Sequence, residues 1–127
     1  MTQREVYSGD PPVHGLAQAV RVGKMIYLAG VTAYRDGAPP EPDMEAQMRA
    51  AYARIAAILD HFGASLADVV EQTVFVTDMD AALRARHVRL EVYGAAGDTF
   101  PASATVEVSR LGRPGLMVEI KVSAHLP

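Results

Sequence analysis

A chain of 127 residues, half of them hydrophobic and 21% charged, has the balance of a globular protein and enough length for one domain that buries roughly two thirds of its unfolded surface. The complete lack of cysteine excludes disulfides, thiolate nucleophiles and cysteine-held zinc or iron–sulfur centres. A net charge of −3 with scattered basic residues argues against a nucleic-acid partner; with no apolar run near the ~20 residues of a membrane span and no secretion signal in the first ten residues, no membrane partner and a cytoplasmic address are expected.

Three short β-like pieces come first. Arg4 to Tyr7 is weak, and Ala19–Val22 and Met25–Val31 are separated by Gly23-Lys24, a two-residue hairpin signal. The run MIYLAGV reads as a central strand. The segment GAPPEP, Gly37 to Pro42, is too rich in proline for any regular element and reads as a surface loop. A long helix follows, with Asp43 as N-cap. Met44, Met48, Ala51, Tyr52, Ile55, Ile58, Leu59 and Phe62 recur at the helical period, and Gly63 supplies the stop.

VVEQTVFV, Val69 to Val76, predicts a strand. Asp78 caps a second helix over Met79 to Tyr93, ended by Gly94. Its arginines Arg84, Arg86 and Arg89 read as a solvated face. Two alternating strands close the chain: Ala102 to Ser109, and Leu116 to Ser123 after an Arg113-Pro114-Gly115 turn. The order β-β-β-α-β-α-β-β predicts an α+β two-layer sandwich, a mixed sheet with two helices on one face, as one domain spanning residues 1–127.

Alternation in the last two strands sets Ala104, Val106 and Val108, and Leu116, Val118, Ile120 and Val122, toward the helices. It sets Ser103, Thr105, Glu107, Met117, Glu119, Lys121 and Ser123 away from them. That polar face is either open to water or closed by a second copy of the chain, and closure would require the charges of Glu107, Glu119 and Lys121 to pair. The four histidines, His14, His61, His87 and His125, form no metal-ligand spacing, so no metal is expected.

Four stretches resemble the Rid/YjgF (reactive intermediate deaminase) family: LAQAVRVGKMIYLAGV, Leu16 to Val31; FGASLADVVEQTVFVTDM, Phe62 to Met79; TFPASATVEVSRL, Thr99 to Leu111; and VEIKVSA, Val118 to Ala124. The FP-x-x-x-x-VEV-x-RL pattern in the third is the most specific. The resemblance implies a chorismate-mutase-like fold and a homotrimer with small-molecule pockets in the clefts between subunits. It also implies hydrolysis of enamines and imines to a keto acid and ammonia, without a metal or organic cofactor.

Residue by residue, the strand glycine of the family matches Gly30. The water-activating glutamate matches Glu119 if one residue is inserted in the Gly112–Gly115 turn. Val31 follows the strand glycine, and Phe100 opens the specific motif. Several positions depart from the family. Ser103 stands at the arginine that grips a substrate carboxylate, Thr105 at a common cysteine, Leu16 at a tyrosine and Ala29 at a frequent serine. His14 precedes the cleft segment and is a further lining candidate. Without the arginine, Lys121, Arg110 or Arg35 of a neighbouring subunit are the substitute anchors. The resulting expectation is a divergent hydrolase that does not handle the usual 2-aminoacrylate-type acid. The alternatives are a non-catalytic ligand-binding trimer and, more weakly, a ribonuclease.

Overall fold

The computed structural model describes residues 3–9 and 12–127. Among them, the elements in chain order are β1 (Arg4–Tyr7), β2 (Ala19–Val22), β3 (Met25–Leu28), β4 (Val31–Thr32), α1 (Met44–His61), a 3₁₀ turn (Leu66–Asp68), β5 (Val69–Val76), α2 (Met79–Arg84), α3 (His87–Ala95), β6 (Ala102–Glu107) and β7 (Val118–His125). The strands form one mixed sheet in the order β1-β2-β3-β7-β5-β6, with β4 also paired to β7. Only the β5–β6 pair is parallel among these pairings. The α+β sandwich is therefore as expected, and β3, from the Met25–Val31 run, is an interior strand between β2 and β7, while β7 joins the two halves of the sheet.

The apolar stripe of α1 is buried from Met44 to Phe62. It packs on Ile26, Leu28, Val118, Ile120 and Val122 from the strands. Asp43 caps the helix, its carboxylate accepting from the Ala46 N–H at 2.8 Å. Gln47, also buried, donates to the carbonyls of Glu41 and Gly115 at 2.8 and 2.9 Å and accepts from the Met117 N–H at 2.8 Å. One amide side chain thus ties two loops to the start of β7.

Three expectations are corrected. The helix expected over Met79–Tyr93 is two helices, broken at Ala85–Arg86, and the second runs past Gly94 to Ala95. Buried Ala82, Ala85 and Val88 recur every third residue. A three-residue spacing stays on one line only where the chain tightens to 3₁₀ winding, and the Arg86 N–H accordingly bonds the Leu83 carbonyl. The run Met25–Val31 is likewise two strands, interrupted at Ala29-Gly30.

The third correction concerns β6. Its register sets Ser103, Thr105 and Glu107 beside Gln72, Val74 and Val76 of β5, and Gln72, Val74 and Val76 are buried beneath the helices. Ser103, Thr105 and Glu107 therefore share the helix-facing side, and Ala104 and Val106 face the open side, the reverse of the expectation. Polar residues are tolerated there because β6 is an edge strand exposed along its whole length. Glu107 accepts from the Met79 N–H at 3.0 Å, at the start of α2. It does not share a face with Glu119 and Lys121.

Candidate functional site

The interruption between β3 and β4 is where the two principal candidates meet. Glu119, half-buried on β7, is registered with Thr32 of β4 and Phe75 of β5. Its side chain lies across Gly30 so closely that a Cβ there would be 2.6 Å from Oε2 and 2.7 Å from Cδ. Lys121, two residues on, donates to the Leu28 carbonyl at 2.7 Å. Among the described residues Glu119 and Lys121 form no ion pair, so the expected charge pairing on this face is not made within one chain.

A cleft of about 400 Å³ opens beside Gly30, lined also by Leu16, Gln18, Val31, Tyr34 and Arg54. Arg54 donates to the Thr32 carbonyl at 2.9 Å and so braces the short strand β4. Val31 is buried and registers with Ile120, facing the core. His14 sits exposed in a turn closed by the Leu16 N–H on the Val13 carbonyl; it is not among the cleft-lining residues.

The β6 candidates lie elsewhere in the chain. Ser103 is the end of a hydrogen-bonded chain that begins in the core. The phenols of Tyr52 and Tyr93 both donate to Gln72 Oε1 at 2.8 Å. Gln72 Nε2 in turn donates to Ser103 Oγ at 3.0 Å. Two buried phenol hydrogens require an acceptor, which fixes the amide with its carbonyl inward and its NH₂ toward Ser103. Burial pushes the Tyr52 phenol up to about 12 and shifts Tyr93 in the same direction. Thr105 faces a hollow of about 180 Å³ lined by Tyr52, Gln72, Leu83, Arg86 and Arg89. Phe100 packs edge-on to Tyr93 with ring centroids 6.4 Å apart, and with Arg89 and Ser103 it lines an adjoining notch.

Gly30, Leu16 and Val31 thus converge on one cleft with Glu119 against Gly30, whereas Phe100, Ser103 and Thr105 converge on a second region at the edge strand. Sequence reasoning missed Gln72, Tyr93, Arg86 and Arg89 in that second region, and Arg54 and Tyr34 in the first. A glutamine at an inward position of an otherwise apolar strand was the one available signal. The arginines gave none, because the break in the helix that sets them beside this hollow is invisible in a continuous helical pattern.

A mixed sheet layered by helices on one face makes this an α+β sandwich protein. Residues 8–126 match the family model described as Endoribonuclease L-PSP. A RutC family protein of Pyrococcus abyssi is 33% identical over 116 residues, 90% of this chain and 88% of that protein. The 2-iminobutanoate/2-iminopropanoate deaminase of Salmonella typhimurium is 31% identical over 109 residues, 84% of this chain and 82% of that enzyme. The crystal structure of Rv2704 from Mycobacterium tuberculosis, a member of the YjgF/YER057c/UK114 family, superposes with a TM-score of 0.81 at 32% identity, covering 98% of this chain and all of that one. The chain belongs to the Rid/YjgF family.

Proposed function

We propose that the protein is a divergent imine or enamine hydrolase, working as a homotrimer of one domain per chain, with its site in the cleft between subunits. The contact between Gly30 and Glu119 carries this reading. A carboxylate lying over the exposed backbone of Gly30, in the break between β3 and β4, offers a base for water beside amide groups that can orient a planar imine. In the reaction, Glu119 takes a proton from water as the oxygen bonds to the imine carbon. That proton passes to the imine nitrogen, where the C=N π electrons take it up, giving a carbinolamine. Glu119 then carries the hydroxyl proton to the same nitrogen, the C–N bond breaks as the C=O bond forms, and a ketone or 2-oxo acid leaves with ammonia.

The trimer accounts for the division of the candidates within one chain. Val6, Tyr27 and Val106 are 48%, 45% and 42% exposed, and all three lie on the open face of the sheet. A second copy covering that face would bring its β6 edge toward Glu119 and Gly30, so that Phe100, Ser103, Thr105 and Lys121 bound a single pocket. The substitution at Ser103 sets the substrate preference apart. Loss of a buried bidentate contact to a carboxylate costs about 2–5 kcal/mol, roughly 30- to 3,000-fold, so the usual 2-aminoacrylate-type acid held through that position is a poor substrate.

Ser103 also favours a second reading, a trimer that binds a small molecule without turnover. A ribonuclease is disfavoured by the net charge of −3. The deciding measurement is ammonia release from imines generated in situ by amine or amino-acid oxidases. Wild type above the spontaneous rate and Glu119→Gln at that rate supports the hydrolase. Equal release from wild type, variant and blank leaves the binding reading.

A further inference from the structure

We infer that Arg86 and Arg89, with the hydroxyls of Ser103 and Thr105, form a carboxylate-binding subsite that takes over the anchoring role absent at Ser103. The inference rests on the hydrolase reading for the identity of the ligand, but the subsite itself is testable by binding alone.

The hollow facing Thr105 and the notch facing Ser103 adjoin through Arg89, which lines both. Neither contains an aspartate or glutamate. Among the described residues Arg86 and Arg89 form no ion pair. Two guanidinium groups beside one hollow without a carboxylate repel each other, and a bound oxyanion relieves that repulsion.

The hydroxyl chain points the same way. Both phenols donate to Gln72 and Gln72 donates to Ser103, so the Ser103 oxygen is already an acceptor and its own O–H remains to be given. The region therefore presents a serine donor and two guanidinium forks, with the Thr105 hydroxyl beside them. That is recognition chemistry for an acceptor-only group, and a carboxylate fits the planar forks of arginine. Other candidate anchors are engaged elsewhere: Arg54 with the Thr32 carbonyl, Lys121 with the Leu28 carbonyl, and Arg35 with the Pro39 carbonyl and Glu41. Arg110 lines a different cleft, beside Arg113 and Leu116. The helix break at Ala85–Arg86 is what brings α3 to this edge. The ligand class is a small imino acid whose carboxylate is held from the helix instead of from the strand.

The full-length protein would be titrated with 2-oxobutanoate, the stable product-like probe, and with butanone and inorganic phosphate, following amide shifts by NMR. Wild type should bind 2-oxobutanoate, and Arg86→Gln/Arg89→Gln should weaken it at least tenfold. Arg89→Lys should fall between them, since it keeps the charge but loses the fork. Arg84→Gln, at the end of α2 just before the helix break and lining neither hollow, should match wild type and controls for general charge. Unchanged 2-oxobutanoate affinity in the double variant overturns the subsite, as does wild type that binds only phosphate or binds butanone equally well. Arginine-dependent binding without ammonia release from any imine would uphold the subsite while removing the hydrolase reading, so the two fail separately.

Discussion

Gly30 leaves room for the Glu119 carboxylate that no other residue would leave. A Cβ at this position would stand 2.6 Å from Oε2, 2.7 Å from Cδ and 2.9 Å from Cγ, closer than non-bonded atoms approach. The Glu119 side chain is flexible but the strand that carries it is not, being paired on both sides by β4 and β5. Gly30→Ala should therefore swing the carboxylate away while the sheet stays intact. The expected result is at least a tenfold loss of ammonia release with a stability change of about 1–3 kcal/mol, the usual range for overpacking. Circular dichroism and thermal unfolding check the second part; a fully active Gly30→Ala protein would show that the contact has no role in turnover.

Gln72 satisfies two core phenols at once, so its removal strands both. Gln72→Leu keeps the volume but leaves the Tyr52 and Tyr93 hydroxyls without their acceptor. Each unsatisfied buried group costs about 1–3 kcal/mol, which puts the variant about 2–6 kcal/mol below wild type in urea unfolding. Adding Tyr52→Phe and Tyr93→Phe to Gln72→Leu should restore much of that loss, because the orphaned groups are gone. A triple variant no more stable than Gln72→Leu alone would show that the network is not what stabilises this part of the core.

The same phenols set an alkaline limit. Burial pushes Tyr52 from its ordinary 10.0 up to about 12, and Tyr93 also upward. The folded state thus holds the neutral phenols in preference, so their stabilising contribution is complete below pH 10 and is lost as the pH climbs from 10 toward 12. A shift of two pH units in one group corresponds to about 3 kcal/mol. Urea midpoints measured from pH 8 to 11.5 should fall above pH 10 in wild type, and fall less in Tyr52→Phe/Tyr93→Phe. Parallel curves for the two proteins would remove the phenols as the cause.

Much of the fold was legible in the residues, and the misses share a physical origin. The stripe from Met44 to Phe62 and the caps at Asp43 and Asp78 are local patterns that appear where the spacing put them, and the inward set Val118, Ile120 and Val122 of β7 does too, although that strand runs Val118–His125 instead of Leu116–Ser123. The orientation of β6 was not local. Alternation separates Ser103 and Thr105 from Ala104 and Val106, but which set faces the helices is decided by the parallel register against Gln72, Val74 and Val76. The rule that the apolar set turns inward fails at an edge strand. Here the inward set meets a buried glutamine and a helix start, and the outward set lies on an apolar open face. Gly30 and Glu119 were singled out by resemblance alone, since nothing in their spacing, 89 positions apart, foretells contact. Arg86 and Arg89 were hidden by a helix break with no proline or glycine to mark it.

That outward apolar set supplies the sharpest test of the assembly. Tyr27 on β3 and Val106 on β6 are 45% and 42% exposed in the single chain, on the open side of the sheet and away from the helices. A charge at either position should be nearly neutral for the folding of one chain, within about 0.5 kcal/mol, as for other exposed sites. In a trimer the same charge would be buried without a partner, which an interface does not tolerate. Light scattering should therefore give wild type at three times the 13.6 kDa of one chain, and Tyr27→Asp or Val106→Asp at the mass of one. If the β6 edge of one copy completes the pocket of the next, both variants should also lose ammonia release, although neither residue touches Glu119's contact with Gly30. Monomeric variants that retain full activity would place the whole site within one chain, and a wild type that is itself monomeric would remove the shared cleft altogether.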